Sequence, residues 1–166
     1  LAQILAEDLM VDWTQVRAEH APANAAFANP LFHFQLTGGS SSIRGYYATL
    51  RQAGATAREM LIAAAAKKWH VDPSACRASN GTVIGPTGRT LTYGKLAAKA
   101  AKMPVPSDPP LVADADLRYI GKVVDRLDIP AKVDGSAIYG IDVRVPDMVY
   151  AVVKHCPTLG GTLAAT

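Results

Sequence analysis

The sequence predicts an α+β fold in which helices and a short β-meander precede a strand-rich C-terminal part. Apolar residues recur every three or four positions in residues 1–10 and 43–69, which indicates two amphipathic helices. An Asn-Gly and a Thr-Gly turn signal between residues 80 and 88 divide the next segment into short strands. Alternating Val, Ile and Tyr residues in AIYGIDVRV and MVYAVVKH are typical of further strands.

The composition indicates a folded domain with no nucleic-acid partner. Hydrophobic residues make up 49% of the chain and charged residues 19%, so a core can form. The net charge is +3, and no cluster of Lys and Arg marks a nucleic-acid surface. Glu7, Asp8 and Asp12 interrupt the apolar N-terminal run, so we expect neither a signal peptide nor a membrane span there. Because the chain begins with Leu1 in mid-helix pattern, we expect a fragment or a processed chain.

The N-terminal elements are predicted in order as a helix, a strand and an irregular segment. Residues 1–10 carry the first helix, and residues 16–21, VRAEHA, are predicted as a short strand. Residues 22–36 contain two prolines and two asparagines, which predicts irregular backbone. The phenylalanines and leucines of this segment predict that it packs against the rest of the protein.

The second helix is the most regular element of the sequence. We predict that it ends at residues 70–73, HVDP, because a residue before proline avoids helical geometry. Gly54 weakens the helix but would let another backbone approach closely. After three short strands, Thr92 is the expected N-cap of a helix over residues 93–102.

Four closely spaced prolines from residue 104 onward predict an extended connection. We therefore divide the chain into a first segment over residues 1–104, a Pro-rich connection over residues 105–117 and a β-rich segment over residues 118–166. Turns are predicted at Asp134-Gly135 and Pro146-Asp147 in the last segment.

Residues with catalytic or metal-binding chemistry are sparse. Cys76 and Cys156 lack zinc-site spacing, so we expect ordinary thiols, although a disulfide between them stays open. The four histidines are scattered, and no common nucleotide-binding or hydrolase motif occurs. The sequence therefore predicts no catalytic residue and no metal ligand in this chain.

The one candidate site is the stretch TGGSSS, which consists of Thr37, Gly38, Gly39, Ser40, Ser41 and Ser42. It leads directly into the long helix, where backbone N–H groups lack helical partners and the helix dipole favours an anion. Gln35 could add an amide group. Three interpretations remain open on these grounds: a helix cap formed by Ser40 or Ser42, an anion-binding site, or a flexible linker.

Two separated stretches resemble one protein family. HAPANAAFANPLFHFQLTGGSSSIRGYYATLRQAGATAREMLIAAAAKKWHVDPSAC resembles the molybdopterin-binding large subunit of the xanthine dehydrogenase and aldehyde oxidase superfamily, in the isoquinoline 1-oxidoreductase beta branch. YIGKVVDRLDIPAKVDGSAIYGIDVRVPDMVYAVV resembles the a/b hammerhead domain of the same family. Asp147 replaces the glycine of the family's Pro-Gly-Met, and Asp tolerates left-handed turn geometry.

The resemblance implies a cofactor and a site. Residues 37–42 would lie against molybdopterin, in its cytosine dinucleotide form, with hydroxyls and amides of the T-x-x-S-x-S stretch holding the pterin and its phosphate. The whole enzyme would be a molybdenum-dependent oxidoreductase that oxidises aldehydes or N-heterocycles such as isoquinoline with oxygen from water. The family's catalytic glutamate stands in a Gly-x-Gly-Glu context that this sequence does not contain, so the chain alone would not be competent.

The resemblance also implies partners. They are the remainder of the large subunit, a small [2Fe-2S] subunit and a cytochrome c subunit. The branch implies a periplasmic or membrane-associated location in a bacterium, and a cytoplasmic one stays open. A different class of function stays open as well, namely a non-catalytic structural or assembly fragment that binds partner chains without cofactor.

Overall fold

The computed structural model describes residues 1–162 and divides into two compact units, one over Leu1–Leu127 and one that begins at Asp128. The first unit contains three α-helices, α1 (Ala2–Leu9), α2 (Ser41–Trp69) and α3 (Tyr93–Ala100), and three strands, β1 (Arg77–Ser79), β2 (Thr82–Ile84) and β3 (Thr90–Thr92). The second unit contains one helix, α4 (Ile129–Asp134), within its described residues. Single 3-10 turns lie at Trp13–Gln15, Ala25–Phe27, Pro73–Ala75, Pro86–Gly88, Asp114–Asp116 and Gly140–Asp142.

Helices α1 and α2 pack backbone to backbone at Gly54. A Cβ atom at this position would lie 2.6 Å from the carbonyl oxygen of Leu5 and 2.9 Å from the amide nitrogen of Leu9. Only glycine leaves room for this approach. The predicted use of Gly54 is therefore confirmed.

The long helix α2 ends where the sequence predicts. Its last residue is Trp69, and His70 follows in the left-handed conformation and donates its N–H to the carbonyl of Ala66. The Asp72 carboxylate then accepts the N–H of Ser74 and starts the next turn. The helix begins at Ser41, two residues before the predicted start.

The three strands form one antiparallel sheet in the order β1-β2-β3. Asn80 and Gly81 both have positive φ, 44° and 72°, which matches the predicted two-residue hairpin turn. Val83 pairs with Ala78 on one side and Leu91 on the other. Helix α3 starts at Tyr93 as predicted, although the side chain of Thr92 makes no cap bond and the helix ends at Ala100.

The core of the first unit joins α2, the sheet and α3. Its buried members are Leu61, Ile62, Ala64, Ala65, Ala78, Val83, Leu96 and Ala100. Each of the three layers contributes at least one alanine as well as a larger aliphatic residue, a mixture that fills a core without voids. Tyr93 lies beside this core and donates its hydroxyl to the carbonyl of Leu9 at 2.8 Å, and burial raises the pKa of Tyr93 to about 12.

A buried polar layer holds the segment around residues 110–120 onto α1 and α2. The Glu7 and Asp8 carboxylates are fully buried. Glu7 accepts the backbone N–H groups of residues 118–120 at 2.7–2.9 Å. Asp8 accepts the Nε of Arg51 at 2.6 Å and the N–H of Val112 at 2.7 Å. Every acceptor in this layer meets a donor, which a buried carboxylate requires.

Two arginines on α2 complete the polar layer. Arg51 donates to the carbonyl of Val112, and its bond to Asp8 raises the pKa of the Arg51 guanidinium. Arg58 donates to the carbonyls of Asp8 and Pro110. The segment around residues 110–120 is therefore fixed by its backbone groups. Two of its side chains add to the attachment, because Tyr119 donates its hydroxyl to the carbonyl of Val11 at 2.7 Å and Arg118 donates to Oδ1 of Asn80 at 2.8 Å.

The strand predicted over residues 16–21 is wrong, because that segment has no strand neighbour and is mostly exposed. The irregular backbone of residues 22–36 is confirmed apart from the single turn Ala25–Phe27. The expected burial of this segment is wrong in part. Phe27, Leu31, Phe32 and Phe34 are 44–59% exposed, whereas Tyr46 on α2 anchors the backbone by donating to the carbonyl of Ala28 at 2.8 Å.

The strand-rich C-terminal segment predicted over residues 118–166 is not found in its described residues. AIYGIDVRV and MVYAVVKH form no strands, and residues 163–166 lie outside the described part. A strand needs a neighbour for its backbone groups, and these segments have none among the described residues. The predicted turns do occur, because Gly135 has a φ of 81° and Asp147 a φ of 56°.

Candidate functional site

The glycine-serine loop, defined as Thr37–Ser42, turns the chain sharply into α2. Gly39 and Ser40 are consecutive left-handed residues, with φ values of 57° and 52°. Ser40 occupies the N-cap position, and its side chain makes no cap bond. The proposed capping by Ser40 is therefore not observed in this structure.

Ser41, the next residue, makes the side-chain bonds that close the loop. Its backbone N–H donates to the carbonyl of Gly38 at 3.1 Å, and its hydroxyl donates to the same oxygen at 2.6 Å. The hydroxyl also accepts the Nδ2 of Asn29 at 2.8 Å. Ser41 is fully buried, so its side chain faces inward.

The remaining loop residues differ in exposure. Thr37, Gly39 and Ser40 are exposed, whereas Gly38 and Ser42 are half-buried. The outer face of the loop therefore offers two hydroxyls, a glycine backbone and the start of a helix. This combination suits an anion, because helix N-termini present N–H groups and the positive end of the dipole.

Gln35 does not face this outer surface. Its Oε1 accepts the backbone N–H of Asn24 at 3.2 Å, and its Nε2 donates to the carbonyl of Pro22 at 3.1 Å. Gln35 therefore ties the two ends of the irregular segment together. Its contribution to the site is the position of that segment.

Arg44 is a component of the site that sequence reasoning missed. Its guanidinium donates to the carbonyl of Gly39 at 3.2 Å, which engages one of five N–H donors. Arg44 places a positive charge near the positive end of the helix dipole, and the first turn of α2 contains no acidic residue that would offset it. An anion at the loop would relieve this repulsion. The spacing of Arg44, one turn after Ser40, is the signal that could have revealed it.

An exposed turn that carries Phe32 and Phe34, here called the aromatic turn, lies beside the loop. The Phe32 ring is 3.7 Å from the position that a Cβ atom of Gly39 would occupy. The rings of Phe32 and Phe34 have centroids 6.3 Å apart at an angle of 52°. The site thus combines polar donors with an apolar rim, a composition that fits a partly aromatic, anionic ligand.

Other chemistry is not assembled in the described part of the chain. Residues 1–162 contain no group of three or more His, Cys, Asp or Glu side chains that could hold a metal ion. Cys76 and Cys156 are free thiols. Burial raises the pKa of Cys76, and a hydrogen bond with Thr158 lowers the pKa of Cys156. None of the helices in residues 1–162 combines the length and hydrophobicity that a membrane crossing requires.

The chain belongs to a class of cofactor-binding proteins. A sequence model of the molybdopterin cofactor-binding domain matches residues 1–139, and the chain belongs to that family. The loop residues fit such a cofactor, because neutral hydroxyls, backbone amides and Arg44 suit a pterin and a phosphate. The family resemblance inferred from the sequence is thereby confirmed.

Three relatives make the comparison more specific. The chain is 35% identical to the beta chain of isoquinoline 1-oxidoreductase from Brevundimonas diminuta, over 96% of the chain and 25% of that protein. It is 34% identical to one of the nicotinate dehydrogenase subunits of Pseudomonas putida, over 96% of the chain and 13% of that protein. It is 31% identical to a membrane-bound aldehyde dehydrogenase [pyrroloquinoline-quinone] of Gluconacetobacter polyoxogenes, over 98% of the chain and 21% of that protein. The chain thus spans a quarter or less of these relatives.

Proposed function

We propose that this chain is a segment of a molybdenum hydroxylase large subunit and forms one wall of its molybdopterin site. The observation that carries the proposal is the outward face of the glycine-serine loop, in a chain that belongs to the molybdopterin cofactor-binding family. When bound, the cofactor would supply the molybdenum centre at which a substrate carbon gains oxygen from water. The names of the relatives support an aldehyde or an N-heterocycle as the substrate class.

The loop residues have distinct proposed roles. Thr37, Gly39 and Ser40 contact the cofactor directly because they are exposed, and Arg44 pairs with its phosphate. Gly38 and Ser42 line the same wall, and the fully buried Ser41 supports it from the inner side. Gln35 contributes by holding the preceding segment. No residue of this chain is assigned a catalytic or metal-ligating role.

The domain division and the partners belong to the same proposal. Residues 1–104 would be a molybdopterin-binding segment, residues 105–117 a connection and residues 118–166 an a/b hammerhead segment that gains its strand partners in the complete large subunit. The cytosine dinucleotide form of the cofactor, a small [2Fe-2S] subunit and a cytochrome c subunit follow from the branch that the sequence resembles. Two of the relatives are named as subunits, which supports a multi-subunit assembly. A periplasmic or membrane-associated location also follows from the branch.

A second candidate function is a non-catalytic assembly segment. The exposed apolar side chains of the second unit favour it, because Val149, Val152 and Val153 are at least 78% exposed and suit burial against another chain. This function would require no cofactor at the glycine-serine loop. Cofactor analysis therefore separates the two candidates.

The first experiment measures molybdenum, pterin and pyrroloquinoline quinone in the native purified protein that contains this chain. We expect molybdenum and pterin in stoichiometric amounts. Pyrroloquinoline quinone is measured separately, because the name of one relative contains it and because it is also anionic. A native protein without molybdenum and pterin would contradict the proposed function.

The second experiment places the cofactor. Ser40→Leu fills the outer face of the loop, and Ser107→Leu is the matched control at an exposed serine elsewhere. We expect Ser40→Leu to lower pterin occupancy roughly tenfold, equivalent to about 1.4 kcal/mol of lost hydrogen bonding and access. If both variants retain full occupancy, the loop is not the binding wall, even though the family assignment stands.

A further inference from the structure

Asn29 is the most completely hydrogen-bonded residue of the irregular segment that precedes the loop. It is 3% exposed. Its backbone N–H donates to the carbonyl of Phe34 at 3.0 Å, and its carbonyl accepts the N–H groups of Phe32 and His33 at 3.2 and 2.7 Å. Its Oδ1 accepts the N–H of Leu31 at 2.9 Å. These bonds close the aromatic turn on Asn29.

The other end of the Asn29 side chain reaches the glycine-serine loop. Its Nδ2 donates to the hydroxyl of Ser41 at 2.8 Å, and that hydroxyl donates to the carbonyl of Gly38 at 2.6 Å. Since both ends of the amide have partners, its orientation is fixed. A continuous chain of hydrogen bonds thus runs from the aromatic turn to the loop backbone.

The loop needs such support because its backbone conformation is uncommon. Ser40 is left-handed without being glycine, which costs roughly 1 kcal/mol. Its own side chain makes no cap bond that would offset this cost. The bond from Ser41 to Gly38 spans the two left-handed residues, and Asn29 holds Ser41 in place.

We propose that Asn29 is a positioning residue that presents the glycine-serine loop to its ligand through Ser41. This inference rests on the proposed function, in which the loop binds the pterin cofactor. Asn29 itself touches no cofactor, because it is buried behind the loop. It sets the shape of the binding wall and the place of the aromatic turn beside it.

The test compares Asn29→Ala, Ser41→Ala and the double variant in the native protein that carries the cofactor. Asn24→Ala is the control, because Asn24 also forms a local turn, accepting the N–H of Ala26 at 2.9 Å, but its side chain makes no bond to the loop. The measurements are the rate of pterin loss per folded molecule, the denaturation midpoint and the amide exchange rate of Ser41. A purely structural role would lower the midpoint and leave pterin loss per folded molecule unchanged.

We expect each single variant to lose pterin about tenfold faster, since each breaks the buried hydrogen bond between Asn29 and Ser41. The double variant should behave like either single variant, because both act through the same link. Asn24→Ala should match the unmodified protein. Unchanged pterin loss in both single variants, or effects that add in the double variant, would overturn the proposal. If Asn29→Ala does not fold, Asn29→Asp takes its place, because it keeps the acceptor for the N–H of Leu31 and removes the Nδ2 donor to Ser41.

The exchange measurement separates this proposal from the proposed function. In Asn29→Ala, the amide of Ser41 should exchange about tenfold faster than in Asn24→Ala, whether or not pterin is present. If the native protein contains no pterin but its Ser41 amide still responds in this way, the proposed function is contradicted. The support of the loop by Asn29 then stands. An unchanged exchange rate of the Ser41 amide would contradict the support of the loop by Asn29.

Discussion

The two units of the molecule differ in whether the elements that their sequence patterns predict are formed. In the first unit, the predicted helices and the hairpin form around a buried core. In the second unit, the segments with the clearest strand alternation form no strand in their described residues. Val83 in the first unit is 0% exposed, whereas Val152 in the second is 96% exposed. An alternating sequence pattern therefore leads to a β-strand only where a second segment that can pair with it is also present.

The difference follows from where the hydrogen-bonding partners lie. A helix bonds to itself, and β1 and β2 meet across the two-residue turn of Asn80 and Gly81. The segments around Val143 and Val152 have no neighbouring strand among the described residues. Their turns form because a turn depends on a few residues only, as the left-handed Gly135 and Asp147 demonstrate.

The largest expected effect tests the buried polar layer of the first unit. Arg51→Met should lower the free energy of unfolding by about 3–5 kcal/mol, because it leaves the buried Asp8 carboxylate without its charged partner. Arg144→Met in the second unit is the control, since Arg144 is exposed and bonds only to nearby carbonyls. Urea unfolding of the chain, followed by circular dichroism, measures both. Equal losses of unfolding free energy in the two variants would contradict the difference between the two units.

A smaller effect compares the two valines directly. Val83→Ala should lower the free energy of unfolding by about 2–3 kcal/mol, because it removes two buried methyl groups from the core. Val152→Ala should change it by less than about 0.5 kcal/mol in the isolated chain. The same pair measured in the native protein sharpens the comparison. A large cost of Val152→Ala there would mean that the second unit gains a partner, as the hammerhead proposal requires.

The sequence predicted the place of the candidate site but not its inner construction. The glycines, serines and helix start were visible in TGGSSS. Which serine faces inward was not, because this depends on Asn29, 12 residues before Ser41. Arg44 was overlooked because its role depends on reaching back to the carbonyl of Gly39. Sequence spacing defines the face of a helix, whereas loop contacts depend on tertiary packing.

The acidic pair of α1 gives the same lesson for the fold. Glu7 and Asp8 interrupt an apolar helix in the sequence, and charged side chains are mostly exposed in folded proteins. Both are fully buried, because donors more than 40 residues away converge on them. Arg51 and the backbone around Arg118 supply those donors. A buried charge is predictable only when its partner is known, and no local pattern provides that information.

The central claim is that the outer face of the glycine-serine loop binds the pterin cofactor, and a structure of the native protein with its cofactor tests this most directly. We predict a phosphate or pterin oxygen or nitrogen within about 3.5 Å of a hydroxyl or backbone amide of Thr37, Gly39 or Ser40. The Arg44 guanidinium should face the same group. A cofactor bound elsewhere, with water or another protein segment covering this loop, would contradict the claim.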